Sequence, residues 1–118
     1  MSKHNKIGIK GEQIAKDYLL NKGYIILYRN WRSGKKEIDI IAVKENMVVV
    51  VEIKTRSRKN LLFPEESVNN RKKGFLRIAA QAFLDEHTQY RNLRFDIISI
   101  IMSGDVVAEI VHFEEAFY

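Results

Sequence analysis

Apolar positions along the chain recur with two different periods, and the change of period marks out the elements. Ile7, Ile14, Ala15, Tyr18 and Leu19 fall at helical spacing between Ile7 and Lys22, and Gly23 follows as a stop, so a first helix is predicted there. Tyr24 to Tyr28 reads as a strand leading into a polar turn, Arg29 to Gly34, that carries the sole tryptophan, Trp31. Ile38–Val43 and Met47–Ile53 are aliphatic or β-branched almost throughout, the pattern of strands buried on both faces. Glu45 and Asn46 are the one polar break between them and predict a two-residue hairpin turn. Thr55 to Ser67 shows no periodicity and predicts a mobile loop, and a loop of about a dozen residues in a compact domain tends to be functional. A second helix is predicted from Val68 to His87, with Phe75, Ile78, Ala79, Ala82 and Phe83 as its apolar stripe. Phe95–Met102 and Val106–Phe113 then form a hairpin around Ser103-Gly104-Asp105. The order α-β-β-β-α-β-β implies an α/β protein with a central mixed sheet flanked by helices.

Charge sits where this pattern is most apolar. Asp39, Glu52 and Lys54 lie in or at the ends of the two most hydrophobic strands. A carboxylate in apolar surroundings acquires a partner charge, a metal or a raised pKa. With Glu45-Asn46 as the turn, Lys44 pairs with Met47 and Val43 with Val48, and counting outward sets Asp39 opposite Glu52 on one face. Like charges directly opposite destabilise a sheet, which suggests a cation between them. Lys54, two residues beyond Glu52, projects to the same face. A register slipped by two residues would instead set Asp39 against Lys54, an ordinary ion pair that needs no metal.

Composition narrows the classes. With 118 residues and 46% hydrophobic content the chain fits one compact domain, residues 1–118. It has no cysteine, which excludes disulfides and thiolate zinc sites and points to a cytoplasmic location. The first residues lack the apolar run of a signal peptide, and no stretch approaches a membrane span. The formal net charge is +5, and basic residues group as Arg29, Arg32, Lys35 and Lys36, as Arg56, Arg58 and Lys59, and as Arg71, Lys72 and Lys73, bracketing the carboxylates in sequence. These groups read either as a solvated surface or as contacts to a polyanion. The last group opens the second helix, where the dipole disfavours cations unless an acid such as Glu65 or Glu66 offsets it.

Three further residues have bland readings that outweigh functional ones. Trp31 reads as a core plug rather than a base-stacking platform. His87 reads as an exposed helix-end residue, since no second histidine lies at ligand spacing. Asp96, beside Arg94, reads as a structural ion pair or hydrogen-bonded anchor. Glu12 reads either as a helix-flank glutamate or, with Gly8, Gly11 and Ala15 as small neighbours, as a carboxylate carried toward Asp39 and Glu52.

Asp39 followed by Glu52-Ile53-Lys54 resembles the D…(D/E)-x-K signature of the PD-(D/E)xK nucleases, without the proline that opens it. The set Gly8-x-x-Gly11-Glu12, Gly23-Tyr24, Asn30-Trp31-Arg32, Glu37-Ile38-Asp39-Ile40-Ile41, Val51-Glu52-Ile53-Lys54-Thr55-Arg56, Pro64 to Val68 and Arg94-Phe95-Asp96 resembles a small bacterial endonuclease-like family, the YraN-like proteins, similar in turn to archaeal Holliday junction resolvases. Lys36 departs from that pattern, which has glycine before the Glu-Ile-Asp run. The resemblance covers nearly the whole chain. It implies a restriction-endonuclease-like three-layer fold and a metal-dependent endonuclease acting on DNA, with branched or damaged DNA as the expected substrate and a homodimer as the expected assembly. It places Asp39, Glu52, Lys54 and Glu12 in the catalytic site. Asp39, Glu52 and the Ile53 carbonyl would hold Mg²⁺ or Mn²⁺, the hard cations that oxygen ligands suit. Lys54 would orient or deprotonate the attacking water or stabilise the transition state, and Glu12 would hold a metal-bound water. Arg32, Lys35, Lys36, Arg56, Arg58, Lys59, Lys72 and Lys73 would contact phosphates. Two rivals remain, a nucleic-acid-binding module without catalysis and a protein-interaction or partner-dependent subunit.

Overall fold

A computed structural model describes residues 6–58 and 69–118, excepting the side chains of residues 6–8. The elements are α1 (Lys6–Asn21), β1 (Ile25–Ser33), β2 (Lys36–Lys44), β3 (Met47–Ser57), α2 (Asn70–Glu86), β4 (Asn92–Ser103) and β5 (Val106–Phe117). They form one five-stranded sheet in the order β1-β2-β3-β4-β5. Every neighbouring pair is antiparallel except β3 and β4, which run parallel. A parallel pair needs a long crossover, and α2 lies in it.

Two apolar clusters make the layers. Val48, Val50, Ile41, Val43 and Phe95 pack with Leu76, Ala79, Ala80 and Phe83 of α2. Val49, Val51, Ile40, Ala42, Ile98 and Ile100 pack with Ala15 and Leu19 of α1. Alternate residues of one strand thus feed opposite cores, which is why the middle stretches Ile40–Val43 of β2 and Met47–Val51 of β3 carry no polar position. The result is the three-layer α/β arrangement expected from the element order.

The central hairpin has the expected register, Lys44↔Met47 and Val43↔Val48. Glu45 and Asn46 both take left-handed φ, 52° and 65°, giving the twist a two-residue hairpin needs. Gly23, at φ 91°, ends α1.

Other boundaries differ. The predicted polar turn at Arg29 is strand as far as Ser33, because Arg29↔Ile40, Trp31↔Ile38 and Arg32↔Glu37 pair through the backbone at a sheet edge, where polar side chains are tolerated. Likewise Thr55 to Ser57 belong to β3 rather than to a loop, since their parallel partners Ile100, Ile101 and Met102 extend the ladder. The remainder of the expected loop, with Lys59, Glu65, Glu66 and the Pro64 to Val68 motif, lies outside the described residues. On α2 the buried stripe is Leu76, Ala79, Ala80 and Phe83, while Phe75 and Ile78 face outward. Both stripes have helical spacing and differ by one residue of rotation. Phe75 serves instead as a ring beneath Lys36 and Arg71.

Candidate functional site

The backbone pairing of β2 with β3 ends at Ile40↔Val51. Ile41 and Val43 face α2, and Ile38 also joins that side, so the alternation along β2 breaks at Asp39. There the Asp39 carboxylate takes over from the ladder, its Oδ2 accepting the Ile53 N–H at 2.9 Å. Glu52 shares the parity of Val48 and Val50 and faces α2. It is 3% exposed in its side chain, and its Oε2 lies 3.6 Å from Lys54 Nζ and 3.2 Å from Lys72 Nζ. Its other oxygen, Oε1, is buried and accepts no hydrogen bond among the described residues.

α1 closes the site from the other face. A Cβ on Gly11 would overlap the Thr55 hydroxyl, so only glycine lets the helix start sit this close to β3. Glu12 is buried as a result. Its Oε1 accepts from Asn30 Nδ2 at 3.3 Å and lies 3.9 Å from Arg29 Nη2. Asn30 holds a left-handed φ of 54° within β1, and its Oδ1 is also buried without a donor among the described residues.

These neighbours leave Asp39 poorly stabilised as an anion. Burial first, then the charge of Glu52 and more weakly that of Glu12, push its carboxyl up to about 7, against the opposing pull of the Ile53 N–H and Lys72. Among the described residues, one bond and the weaker pull of one ammonium do not offset desolvation next to two like charges. A divalent cation would relieve both Asp39 and the bare Glu52 Oε1, so the donor set fits a hard cation. It is a sparse set, because among the described residues no group of three or more His, Cys, Asp or Glu side chains is placed to hold a metal. Any such ion would depend on two carboxylates and on further oxygens from backbone or water.

The basic residues separate on inspection. Lys54 and Lys72 converge on Glu52. Arg32 pairs with Glu37 at 3.2 Å, Lys36 lies over Phe75, and Lys73 lies over Phe117. Lys35 and Arg58 are exposed and Arg56 is half-buried at the end of β3. Lys59 lies outside the described residues.

Sequence reasoning missed four participants. Lys72 was expected on phosphate and sits on Glu52, a placement that its presence in the first turn of a helix hints at. Asn30 and Arg29 hold Glu12, and their signal was only a polar run beside a tryptophan. The Ile53 N–H donor to Asp39 leaves no trace in side-chain chemistry.

The bland readings fare well elsewhere. Trp31 packs edge-on against Phe83 in the α2-side core. His87 caps α2 but is half-buried rather than exposed, stacked on Phe83 with its ring nitrogens on Phe83 O and Tyr28 Oη. Asp96, 0% exposed, accepts from Arg94 Nε and Nη2, His112 Nε2 and the Glu115 N–H. Burial would raise its carboxyl, but the His112, Arg94 and Glu115 bonds together hold it below the ordinary carboxylate value.

The fold and this site define a three-layer α/β protein with an under-satisfied carboxylate pair at the frayed end of its central hairpin. Residues 11–100 match the model of the uncharacterised protein family UPF0102, and the chain belongs to that family. Its relatives include a UPF0102 protein of Phocaeicola vulgatus, 40% identical over the whole of this chain and 97% of its own length. Others are those of Bacteroides thetaiotaomicron, 43% identical with the same coverage, and Flavobacterium psychrophilum, 41% identical over all of this chain and 98% of its own. No helix among the described residues is long and apolar enough to cross a membrane.

Proposed function

We propose that this protein is a divalent-metal-dependent nuclease that hydrolyses phosphodiester bonds in DNA. The observation that carries the reading is the pair Asp39 and Glu52, one carboxyl raised to about 7 and the other with a bare buried oxygen, flanked by two lysines. Asp39 and Glu52, with the Ile53 carbonyl, would hold Mg²⁺ or Mn²⁺. When bound, such an ion supplies charge neutralisation at the phosphoryl oxygens and a water of lowered pKa. Lys54, beside Glu52 on β3, would orient or deprotonate the attacking water or bear on the developing charge. Glu12, steadied by Asn30 and Arg29, would hold a metal-bound water. Lys35, Arg58 and Arg56 lie on exposed or half-exposed stretches around the site, where contacts to DNA phosphates would position the strand without reading sequence. Branched or damaged DNA is the expected substrate, in keeping with the sequence resemblance, and two copies of the chain would be needed to cut two strands together.

The sparse donor set favours one second reading, a nucleic-acid-binding module that no longer cleaves or that cleaves only with a partner. A panel of labelled single strands, duplexes, flaps and four-way junctions, incubated with Mg²⁺ or Mn²⁺, separates the two. Cleavage by the wild type that is lost in Asp39→Ala and Lys54→Ala supports the nuclease. Salt-sensitive binding without cleavage, retained in Asp39→Ala, supports the module, and neither binding nor cleavage removes both.

A further inference from the structure

The lysine that the structure brings nearest to Glu52 is not the one adjacent in sequence. We propose that Lys72 is the site's resident cation, holding Glu52 until a divalent ion takes that carboxylate and then turning to the phosphate of a bound nucleic acid. The inference deepens the metal-dependent reading above and rests on it.

The geometry gives Lys54 and Lys72 different freedoms. Lys54 is a β3 neighbour of Glu52, two residues along the same face, and its ammonium lies 3.6 Å from Oε2. Lys72 reaches the same oxygen at 3.2 Å from another element altogether. Its backbone is fixed, because its N–H donates to Oδ1 of the N-cap Asn69 at 2.9 Å. Its side chain is 37% exposed, against 3% for Glu52. The ammonium therefore has a path to solvent that the carboxylate lacks, and a flexible four-carbon stem on a fixed backbone lets it change partner without moving α2.

Two features make that change favourable. A divalent ion on Asp39 and Glu52 would stand within a few ångströms of an ammonium already on Oε2, and like charges at that range repel strongly in a partly buried setting. Lys72 also lies in the first turn of α2, which contains no acidic residue. A helix start disfavours a lone cation there but favours a phosphate. Glu52 supplies the compensating negative charge in the metal-free protein. Once an ion neutralises Glu52, a phosphate oxygen is the anion that can replace it.

Mn²⁺ titration of the DNA-free protein, followed by the electron paramagnetic resonance of the free ion, tests this directly. Lys72→Met should bind Mn²⁺ about tenfold tighter than the wild type, whereas Lys72→Arg, which keeps the charge, should stay near wild type. Lys10→Met, which removes the same charge from the exposed pair with Asp105, should leave the affinity unchanged. In a second arm, the rise in affinity for a fluorescent duplex on adding Ca²⁺ should be lost in Lys72→Met. Unchanged or weaker Mn²⁺ binding by a folded Lys72→Met protein overturns the competition, and a Ca²⁺ effect that survives the substitution overturns the transfer to phosphate. Either failure, with Mn²⁺ binding still abolished by Asp39→Ala, leaves the metal site standing. A wild type that binds no Mn²⁺ overturns the metal-dependent reading and this inference together.

Discussion

Helix α1 joins two carboxylate clusters, one around the half-buried Asp39 and one around the fully buried Asp96, that resolve the same electrostatic problem in opposite ways. Near its start, Glu12 adds its charge to the site of Asp39 and Glu52. Two turns on, Tyr18 Oη meets His112 Nδ1 at 3.2 Å, and the His112 ring meets Asp96 at 2.7 Å. Asp96 is the more buried of the two aspartates, yet four donors, two of them from the Arg94 guanidinium, hold its carboxyl down. Arg94 is raised in return, first by that bond to Asp96, and it also donates to Tyr24 Oη at 2.6 Å. Tyr18 and Tyr24 are themselves raised, chiefly by burial, so neither is an activated phenol. Among the described residues, Asp39 has one donor and two carboxylate neighbours, and its pKa is raised. Burial alone does not distinguish a well-satisfied acid from an under-satisfied one. What distinguishes them is whether the fold supplies enough donors.

The contrast is sharpest in what removing each carboxylate should do. On the nuclease reading proposed above, Asp39→Ala and Glu52→Ala should each lower metal-dependent cleavage by at least about 10⁴-fold, ~5 kcal/mol in the barrier, while circular dichroism reports an intact fold. A mutant that still cuts would collapse the distinction. Asp96→Ala should do the reverse. It removes the main partner of the partly buried Arg94, leaving it, among the described residues, only Tyr24 and the exposed Glu114, and should destabilise the protein by roughly 3–5 kcal/mol, read as a lower denaturation midpoint.

Gly11→Ala probes the seat that α1 takes at the site end alone. The added methyl overlaps the Thr55 side chain, and overpacking of this kind costs roughly 1–3 kcal/mol. Its effect on cleavage should exceed its effect on Tyr24 or His112 chemical shifts, because the far end of α1 is anchored separately.

The smallest effect is the one with a distinctive pH signature. Asp39 keeps its proton to about pH 7 in the folded chain but only to about its ordinary 3.8 when unfolded. Between those values the folded state binds more protons, so stability falls as pH rises from about 4 to 7 and is level above that. Asp39→Asn abolishes this loss. Without divalent ions it should stabilise the protein by roughly 1–3 kcal/mol at pH 8, allowing for coupling to Glu52, and by almost nothing at pH 4. Thermal melts across that range give the answer, and a gain that does not depend on pH would show that Asp39 is adequately paired. Asp96 carries the opposite sign, since its lowered pKa contributes stability that is lost on acidification.

Much of this was legible along the chain because β2 and β3 are buried on both faces. Charged residues in such strands stand out, and a two-residue turn at Glu45-Asn46 fixes the register as far as Ile40↔Val51, just beyond which Asp39 leaves the ladder to accept the Ile53 N–H near Glu52. Hydrophobic period likewise gave the order of the seven elements. Strand ends were read short wherever polar residues ran on, as at Arg29 to Ser33 and Thr55 to Ser57, because backbone pairing with a neighbour extends a strand without regard to side-chain hydropathy. The outward rotation of Phe75 and Ile78 was equally hidden, since adjacent stripes on a helix share one period. Lys72 on Glu52, Asn30 and Arg29 on Glu12, and the fourfold satisfaction of Asp96 by residues from β4 and β5 were decided by tertiary structure alone. They depend on which element crosses which, and a one-dimensional pattern records the charges a chain carries but not the donors that folding brings to them.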